Sequence, residues 1–329
     1  MEKIRYLFRV MKDMSFKNMF STIKELSEKT NKSSLILFFD VIWCGWKYQA
    51  GYLDYKTIAM YNLNRAQRNT HITRGIFNHY IKKYNNQDYI HFFLYKNEFN
   101  EKFFEYSKRD WLLLDGNNEE AFKDFLKDKK EIIAKPLTGT HGKGVIKIAS
   151  SKANYQELIS KDLLMVEEVI QQVDIMNKLN PSSINTVRVL TFYNEGKAQI
   201  LRTSLRIGNK GVVDNFSGGG MLTQIDPKTH KVQFPAVDKE GKVYYQHPVT
   251  GTEIIGFEIP QYDEIIETCL KACSLIEEVK IVGWDVAISK KGICLIEGNE
   301  FPSHDLYQLP AHHPDGYGSL PEFKAILDQ

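Results

Sequence analysis

One predicted β-hairpin, at residues 282–299, constrains this sequence more than any other segment. Two apolar runs rich in β-branched residues flank a short Lys-Gly turn, a pattern typical of paired antiparallel strands. Pairing that is symmetric about Lys291 sets Asp285 opposite Glu297. Because side chains alternate along a strand, Asn299 shares the face of Glu297. The hairpin therefore brings two carboxyl groups and an amide oxygen together on one face.

These three side chains predict a metal site. Directly opposed residues have Cβ atoms about 5 Å apart, and two like charges at that distance are unfavourable without a cation between them. Hard oxygen ligands suit Mg²⁺ that bridges nucleotide phosphates, so the predicted metal ligands are Asp285, Glu297 and Asn299. The alternative is an edge hairpin with solvated acids, because a register slip of one residue would turn Asp285 to the other face.

A glycine-rich loop lies between two further predicted strands, residues 131–135 and 145–148. Its glycines and small hydroxyl residues allow backbone N–H groups to turn towards an anion. The loop is neither a P-loop nor a Rossmann fingerprint, because a strand rather than a helix follows it. An ordinary mobile hairpin is the alternative interpretation. Combined with the downstream carboxylates, the loop predicts a nucleotide held between two sheets.

Five motifs make a family resemblance specific. In their order and spacing, the chain resembles ATP-grasp enzymes, in particular the sugar-transfer-associated branch found with surface-polysaccharide biosynthesis. The resemblance implies an α+β fold in which two subdomains grip ATP between antiparallel sheets, with Mg²⁺ at the first hairpin. The motifs are Asp-Asn-Phe-Ser-Gly-Gly-Gly at 214–220, His-Pro-Val-Thr-Gly at 247–251, Ile-Pro-Gln-Tyr at 259–262, Val-Gly-Trp-Asp at 282–285 and Glu-Gly-Asn at 297–299.

The same resemblance divides the chain into three parts. Residues 1–95 are expected to form a mainly helical N-terminal region, residues 96–170 the small ATP-binding subdomain, and residues 171–329 the C-terminal subdomain with the metal site. The segment 48–95 is crowded with aromatic and basic residues and resembles the helical N-terminal region of the family.

Two lysines contact the nucleotide phosphates in this family, and Lys96 and Lys135 match them by position. Tyr95 stands where an Asp usually precedes the first lysine. Glu167 resembles the linker-strand residue at the adenine edge, and Asp174 resembles the acid at the ribose. Without the resemblance, the Glu-Glu pair at 167–168 would be interpreted as solvated acids at a strand end. The implied nucleotide contacts are Lys96, Lys135, Thr138, Gly139, Gly142, Lys143, Gly144, Glu167, Glu168, Ile170 and Asp174.

Arginines on two predicted strands are candidate catalytic residues. Arg188 interrupts a nearly continuous apolar run, and a fixed cation there can stabilise charge on a transferring phosphoryl group and an acyl-phosphate. Arg206 ranks beside it and above Arg202, and the Asp-Asn-Phe-Ser motif adds Asn215. His304 departs from the glycine that ligases commonly carry after the Glu-x-Asn strand, and it is either a base for the attacking amine or a structural residue.

Composition fits a cytoplasmic enzyme. A chain of 329 residues with 43% hydrophobic content can bury a sizeable core, and a net charge of +2 gives no support for nucleic-acid binding. The four cysteines lack zinc-type spacing and are expected to be free thiols, and the N-terminus lacks the apolar core of a signal peptide. The apolar run 35–46 is too short to span a bilayer, and with Asp40 at its middle it predicts a buried helix.

The N-terminal segment leaves an alternative open. Residues 4–28 mix apolar and basic residues at helical spacing, which predicts a basic amphipathic helix. Its charged side either faces water or lies on anionic lipid. In the second case the protein would associate peripherally with the inner face of the membrane.

The resemblance implies ATP-dependent ligation of a carboxylate to an amine through an acyl-phosphate, in surface-polysaccharide or related small-molecule biosynthesis. The expected partners are therefore a small-molecule carboxylate and an amine, either of which can be sugar-linked. Two alternatives stay open. One is a phosphotransferase of the same fold that phosphorylates a sugar or another hydroxyl, and the other is a nucleotide-binding protein without activity.

Overall fold

The computed structural model describes residues 15–139, 144–209 and 216–329. Within them the fold combines helices with two antiparallel sheets. The four cysteines are buried and carry free thiols, as the sequence predicts. No helix in these ranges is long and apolar enough to cross a lipid bilayer.

The chain divides into two compact units. One unit comprises residues 84–302, and the other comprises residues 1–83 together with residues 303–329. The helical region predicted to reach residue 95 therefore ends at Lys83 in this division. The C-terminal residues pack with that helical unit instead of continuing the subdomain predicted for residues 171–329.

The helical unit begins, among the described residues, with a capped helix. The Ser15 side chain accepts a hydrogen bond from the Asn18 N–H at 3.3 Å, and Asn31 ends the helix in the left-handed conformation. Buried apolar residues of the first two helices pack against each other to form the core of this unit. Its helices are α1 Phe16–Thr30, α2 Ser34–Tyr48, α3 Tyr52–Thr57, α4 Arg65–Arg68, α5 Arg74–Tyr84 and α13 Leu320–Leu327, with 3₁₀ turns at Met60–Asn62, Asp305–Gln308 and Pro310–His312.

The prediction of a buried helix at residues 35–46 is right about the helix and wrong about its burial. One face of α2 is buried and includes Leu37, Val41 and Cys44. The opposite face exposes large apolar side chains, among them Phe39 at 62% and Trp43 at 50% of full exposure. An apolar run without periodic polar residues cannot distinguish these two environments, because both of its faces are hydrophobic.

The second unit contains a small sheet of four strands. Its order is β1-β4-β2-β3, and each pair is antiparallel. The predicted strand 131–135 is confirmed, and the strand predicted at 145–148 begins one residue later. The bounds are β1 Trp111–Leu113, β2 Glu131–Lys135, β3 Ile146–Ala149 and β4 Met165–Glu168.

The same unit contains an eight-stranded antiparallel sheet in the order β10-β9-β7-β6-β5-β11-β12, with β8 paired to β7. Residues 224–258 contribute mainly two-residue strands. The bounds are β5 Thr186–Asn194, β6 Lys197–Ile207, β7 Met221–Asp226, β8 Lys231–Val232, β9 Ala236–Val237, β10 Val243–Tyr244, β11 Ile281–Ser289 and β12 Gly292–Asn299.

Helices cover one face of the large sheet. Trp284 is fully buried on that face, and the ring of Phe103 lies edge-on to it with centroids 5.2 Å apart. Since neighbouring side chains alternate, Asp285 points to the opposite face. The helices of this unit are α6 His91–Leu94, α7 Lys96–Lys102, α8 Phe104–Ser107, α9 Glu119–Leu126, α10 Tyr155–Ser160, α11 Asp174–Leu179 and α12 Tyr262–Cys273, with 3₁₀ turns at Gln87–Tyr89, Ser150–Lys152 and Phe216–Gly218.

Candidate active site

A row of polar side chains crosses five strands of the large sheet. Gln224 on β7, Ser204 on β6, Arg188 on β5, Asp285 on β11 and Glu297 on β12 are direct partners in consecutive strand pairs. Cross-strand partners share a face, so these side chains lie side by side. Burial of a continuous row of polar side chains in a sheet costs free energy unless each group finds a hydrogen-bond or ion-pair partner.

The pairing of Asp285 with Glu297 depends on a β-bulge. At the tip of the hairpin Ser289 pairs with Gly292, so the turn has two residues, and regular pairing from there would set Asp285 opposite Ile296. A register shift next to Asp285 leaves Ile296 as the extra residue and brings Glu297 opposite Asp285. The predicted partner is therefore confirmed, although the predicted symmetry about a single residue is wrong near the turn.

Two arginines hold the Asp285 carboxylate. Arg188 donates from Nε to Oδ1 at 2.5 Å and from Nη2 to Oδ2 at 2.8 Å, and Arg206 donates from Nη1 to Oδ2 at 2.5 Å. Burial opposes ionisation of Asp285, but the two guanidinium groups outweigh it and hold the pKa of this carboxyl well below its usual range. Asp285 is therefore a fixed anion that positions Arg188 and Arg206 on the face of the sheet.

Glu297 has the opposite electrostatic situation. Its side chain is solvent-exposed. Neighbouring protein atoms remove part of the hydration of its carboxyl group, which raises the pKa, and the adjacent Asp285 carboxylate raises it further, to about 7. Among the described residues, Glu297 makes no ion pair with a lysine or arginine. Asn299 lies on the same strand, two residues on, and its amide nitrogen donates to the Gly283 carbonyl at 3.3 Å. Its amide oxygen is the atom left for a cation.

Gly283 makes room for the Arg188 side chain. A Cβ atom at this position would lie 3.2 Å from Nη1 of Arg188 and 2.8 Å from Cβ of Pro302. Real Cβ atoms do not approach other atoms at 2.8 Å, so a larger residue would displace one of its neighbours. The Val-Gly-Trp-Asp motif thus places a glycine under Arg188, tryptophan in the core and the aspartate in the polar row.

A second charged network lies in the small sheet. Lys135 Nζ is 2.6 Å from Glu167 Oε2, and Arg109 Nη2 is 3.1 Å from Glu167 Oε1. Asn100 donates to the same oxygen at 2.8 Å. Burial disfavours the Glu167 anion, but Arg109 and Lys135 overcome this and hold its pKa far below the usual range. Burial lowers the pKa of Lys135, and the Glu167 carboxylate opposes that effect.

Arg109 connects this network to the bulge. Its Nη1 donates to the Leu295 carbonyl at 2.6 Å and its Nη2 donates to the Ile296 carbonyl at 3.1 Å. The buried guanidinium therefore holds the strand residues that set the register of Glu297, and at the same time pairs with Glu167. Arg109 is not recognisable from the sequence because it stands in a short polar segment with no periodic pattern.

Lys96 lies beside the glycine-rich loop. Its Nζ is 3.3 Å from the Gly139 carbonyl and 3.4 Å from the Leu137 carbonyl. Burial lowers the pKa of Lys96, the positive charge of Lys135 lowers it further, and Glu297 opposes both. Lys96, Lys135 and Glu297 therefore interact electrostatically.

Other predicted nucleotide contacts occupy different surroundings. Glu168 pairs with Lys291 at 2.7 Å, and Asp174 pairs with Lys290 at 3.1 Å, so both acids contact the turn of the β11–β12 hairpin. Ile170 is half-buried, whereas Thr138 and Gly139 are exposed and Gly144 has a positive φ of 76°. Three predicted residues lie outside the described ranges, namely Gly142, Lys143 and Asn215.

His304 belongs to the helical unit. Its Nε2 lies 2.7 Å from Asp54 Oδ1, both side chains are buried, and its ring stacks on Phe77 with centroids 5.7 Å apart. These contacts are those of a structural residue in the core of the helical unit, and a catalytic role for His304 stays a prediction.

Ser204, in the polar row, is not among the residues that the sequence predicts. Its buried Oγ has no hydrogen-bond partner among the described residues.

Several solved structures resemble the chain at low sequence identity. The D-alanine-D-alanine ligase from Coxiella burnetii is 10% identical with a TM-score of 0.38, over 64% of this chain and 48% of its own. The N5-carboxyaminoimidazole ribonucleotide synthetase from Thermotoga maritima is 13% identical with a TM-score of 0.39, over 69% and 52%. The ATP-grasp ligase PsnB with its minimal precursor is 14% identical with a TM-score of 0.38, over 67% and 56%. The chain spans about half the length of these proteins.

Comparison with protein families gives a match that covers more of the chain. No curated protein sequence matches the chain significantly. The family described as sugar-transfer associated ATP-grasp, however, matches residues 78–315, which is well over half of the chain. The matched range includes both sheets, the polar row and the Lys135–Glu167 pair. The chain therefore belongs to the sugar-transfer associated ATP-grasp family and has the ATP-grasp fold.

Proposed function

We propose that this protein is an ATP-dependent ligase that joins a carboxylate to an amine through an acyl-phosphate. One observation carries the proposal. The polar row ends in an acid, Glu297, that forms no salt bridge with a described lysine or arginine, on the face where Asp285 fixes two arginines. A site with fixed cations and one acid without a salt-bridge partner suits phosphoryl transfer, in which catalysis is mostly positioning and charge stabilisation.

The residues at the end of the row fit a magnesium ion. Mg²⁺ in nucleotide sites is usually held by one or two carboxylates together with phosphate oxygens and water. Glu297 supplies an exposed carboxylate whose pKa is raised by loss of hydration and by the neighbouring Asp285 carboxylate, and Asn299 supplies an amide oxygen. Asp285 is already bound by Arg188 and Arg206, so its role is to orient them and to add negative charge near the metal. When bound, Mg²⁺ would neutralise phosphate oxygens and act as a Lewis acid.

Lys135 on the small sheet and Lys96 on α7 supply the positive charge for the nucleotide phosphates. Glu167 fixes the Lys135 ammonium in one orientation, and Lys96 lies against the backbone of the glycine-rich loop. A fixed ammonium loses little conformational entropy when it binds a phosphate oxygen. The loop, including Thr138 and Gly139, would cover the phosphates and exclude water from them.

Arg188 and Arg206 would act on the reacting carboxylate. Both guanidinium groups are held by Asp285, so they cannot reorganise while negative charge builds on the transferring phosphoryl group. The substrate carboxylate would attack the γ-phosphorus, the bond from that phosphorus to the β–γ bridging oxygen would break, and ADP would leave. The amine would then attack the acyl carbon, lose a proton and release phosphate.

The family description associates these proteins with sugar transfer, and we extend the proposal to substrates of surface-polysaccharide biosynthesis. Uronic acids, amino acids and amino sugars carry the carboxylates and amines that such a ligase would join. A cytoplasmic reaction is consistent with ATP and Mg²⁺ as co-substrate and cofactor.

The test is ADP release with Mg-ATP and pooled amino acids, uronic acids and amino sugars, followed by mass spectrometry of the products. The proposal predicts release that requires both a carboxylate and an amine, with a product lighter than their sum by one water. Release with a single hydroxyl substrate and a product heavier by one phosphate would instead establish a phosphotransferase. If no pool supports ADP release, the protein only binds nucleotide, and that result would contradict the proposal of a ligase.

A matched pair of variants connects that activity to the site. Glu297→Gln keeps the shape of the side chain and removes its charge, whereas Glu101→Gln makes the same change on the exposed surface of α7. The proposal predicts that only the first variant loses ADP release. Equal activity in both variants would contradict the role of Glu297.

A further inference from the structure

The second helix of the helical unit exposes an unusual number of large apolar side chains. The exposed fractions are 65% for Leu35 and Ile36, 62% for Phe39 and 50% for Trp43. Scattered surface apolar residues are normal, but a contiguous set of them indicates a contact surface. We name this surface the aromatic face and define it by Leu35, Ile36, Phe39, Ile42, Trp43 and Trp46 of α2.

The aromatic face is a regular stripe. At 3.6 residues per turn its six positions fall within an arc of about 120°, and the buried residues of α2 are centred on the opposite side of the helix. The helix is thus hydrophobic on two opposed faces, and only one of them packs into the helical unit. A water-soluble surface helix would carry polar residues on the second face.

The acid within this stretch does not interrupt the face. Both oxygens of Asp40 accept hydrogen bonds from the Arg68 guanidinium at 2.7 Å, and Tyr55 donates to Oδ2 at 2.7 Å. This ion pair turns the carboxylate away from the stripe and neutralises it. Between Ser34 and Trp46 there is no other ionisable acid or base apart from the buried Cys44 thiol.

Aromatic rings extend the surface onto the first helix. Phe16 is 45% and Phe20 is 55% exposed on α1. The ring of Phe20 stacks on that of Phe38 with centroids 5.8 Å apart, and the rings of Trp43 and Trp46 lie 5.1 Å apart. Tryptophan and phenylalanine at this density are typical of segments that lie at the headgroup level of a bilayer.

The charge of the chain is asymmetric along the sequence. The described residues 15–50 contain five Lys against three Asp and Glu, which is a net +2, whereas residues 51–329 have a net charge of −2. Lys17 and Lys24 are exposed on α1, and Lys47 lies in the last turn of α2. Basic residues around an apolar stripe add electrostatic attraction to anionic lipid.

We propose that the aromatic face docks onto a lipid bilayer that contains anionic lipid, with the indole rings in the interfacial layer and the surrounding lysines on the headgroups. The sequence alone predicts membrane association through the charged side of an amphipathic helix at residues 4–28. The proposal based on the structure instead uses the exposed apolar side chains of α2. A protein that binds through this surface lies on one leaflet and does not cross the bilayer.

The test uses the full chain and vesicles of phosphatidylcholine with or without phosphatidylglycerol, separated by flotation. We expect the wild type to float with vesicles that contain phosphatidylglycerol and to float less with phosphatidylcholine alone. The triple variant Phe39→Ser, Trp43→Ser, Trp46→Ser should bind at least tenfold more weakly. Phe104→Ser, an equally exposed aromatic in the other unit, is the matched control and should bind like the wild type.

A second readout locates the contact. Phospholipids brominated in their acyl chains should quench the fluorescence of Trp43 and Trp46 but not that of the buried Trp284, so the variant Trp43→Phe, Trp46→Phe should lose most of the quenching. Circular dichroism checks that each variant is folded. Absence of vesicle binding by the wild type, or equal binding by the triple variant, would overturn the proposal. A wild-type dimer that the triple variant converts to monomer, without vesicle binding, would assign the face to a second copy and would also overturn it.

Discussion

Replacement of Arg109 by Met should destabilise the protein and weaken nucleotide binding at the same time. The guanidinium donates to the buried Leu295 carbonyl and to the part-buried Ile296 carbonyl, and it pairs with Glu167. Methionine fills a similar volume but removes the hydrogen-bond donor from both carbonyls, at about 1–3 kcal/mol each. Glu167 keeps Lys135 as a partner, so the full cost of an uncompensated buried charge, about 3–5 kcal/mol, does not apply.

The expected loss in free energy of unfolding is therefore about 2–5 kcal/mol, measured by urea unfolding with tryptophan fluorescence as the probe. Arg109→Lys retains the charge and loses the paired donors, so it should fall between Met and the wild type. Arg65→Met removes an exposed arginine and should change stability by less than about 0.5 kcal/mol.

Nucleotide binding provides the second readout for Arg109. If the bulge at Ile296 relaxes, Glu297 moves away from Asp285 and the metal-dependent part of ATP affinity should fall in both Arg109 variants. Stability within 1 kcal/mol of the wild type, together with unchanged affinity for Mg-ATP, would refute the view that Arg109 holds the register of β12.

Three further predictions concern the polar row. Glu297→Gln should lower ADP release by at least about 100-fold with unchanged circular dichroism, because several kcal/mol of charge stabilisation through the metal are lost; full activity would contradict the assignment. Gly283→Ala should cost about 1–3 kcal/mol in thermal unfolding, since its Cβ would lie 2.8 Å from Pro302 Cβ, and an unshifted midpoint would show that the site adapts freely. Mg²⁺ affinity in the absence of nucleotide, measured by calorimetry, should rise about tenfold per pH unit up to about pH 7 and then stay constant. The reason is that a proton on Glu297 competes with the metal below the raised pKa of this group, about 7. An affinity that does not change between pH 5 and pH 8 would contradict this prediction.

The sequence contains enough information to predict the hairpin and its metal-seeking residues. Two apolar runs rich in β-branched residues around a short turn predict Asp285 opposite Glu297, and the structure confirms that pair. The bulge that produces it is not predictable from local pattern. It is held by Arg109, which is 187 residues away from Ile296 in sequence and carries no periodic signal of its own.

Long-range partners explain the other differences. Glu167 and Lys135 are recognisable by their positions, but the structure adds Asn100 and Arg109 to their network. His304 pairs with Asp54, 250 residues earlier, so its sequence context cannot reveal that contact. The apolar run of α2 predicts a helix correctly and its burial incorrectly, because hydrophobicity on all sides does not tell which face meets protein.

The most direct test of the account is metal-dependent nucleotide binding by the wild type and by Glu297→Gln, measured by calorimetry with a non-hydrolysable ATP analogue in the presence and absence of Mg²⁺. The account predicts that Mg²⁺ strengthens nucleotide binding to the wild type and has little effect on the variant, while both bind the metal-free nucleotide through Lys96 and Lys135. The same strengthening by Mg²⁺ in the variant would contradict the placement of the metal at the end of the polar row.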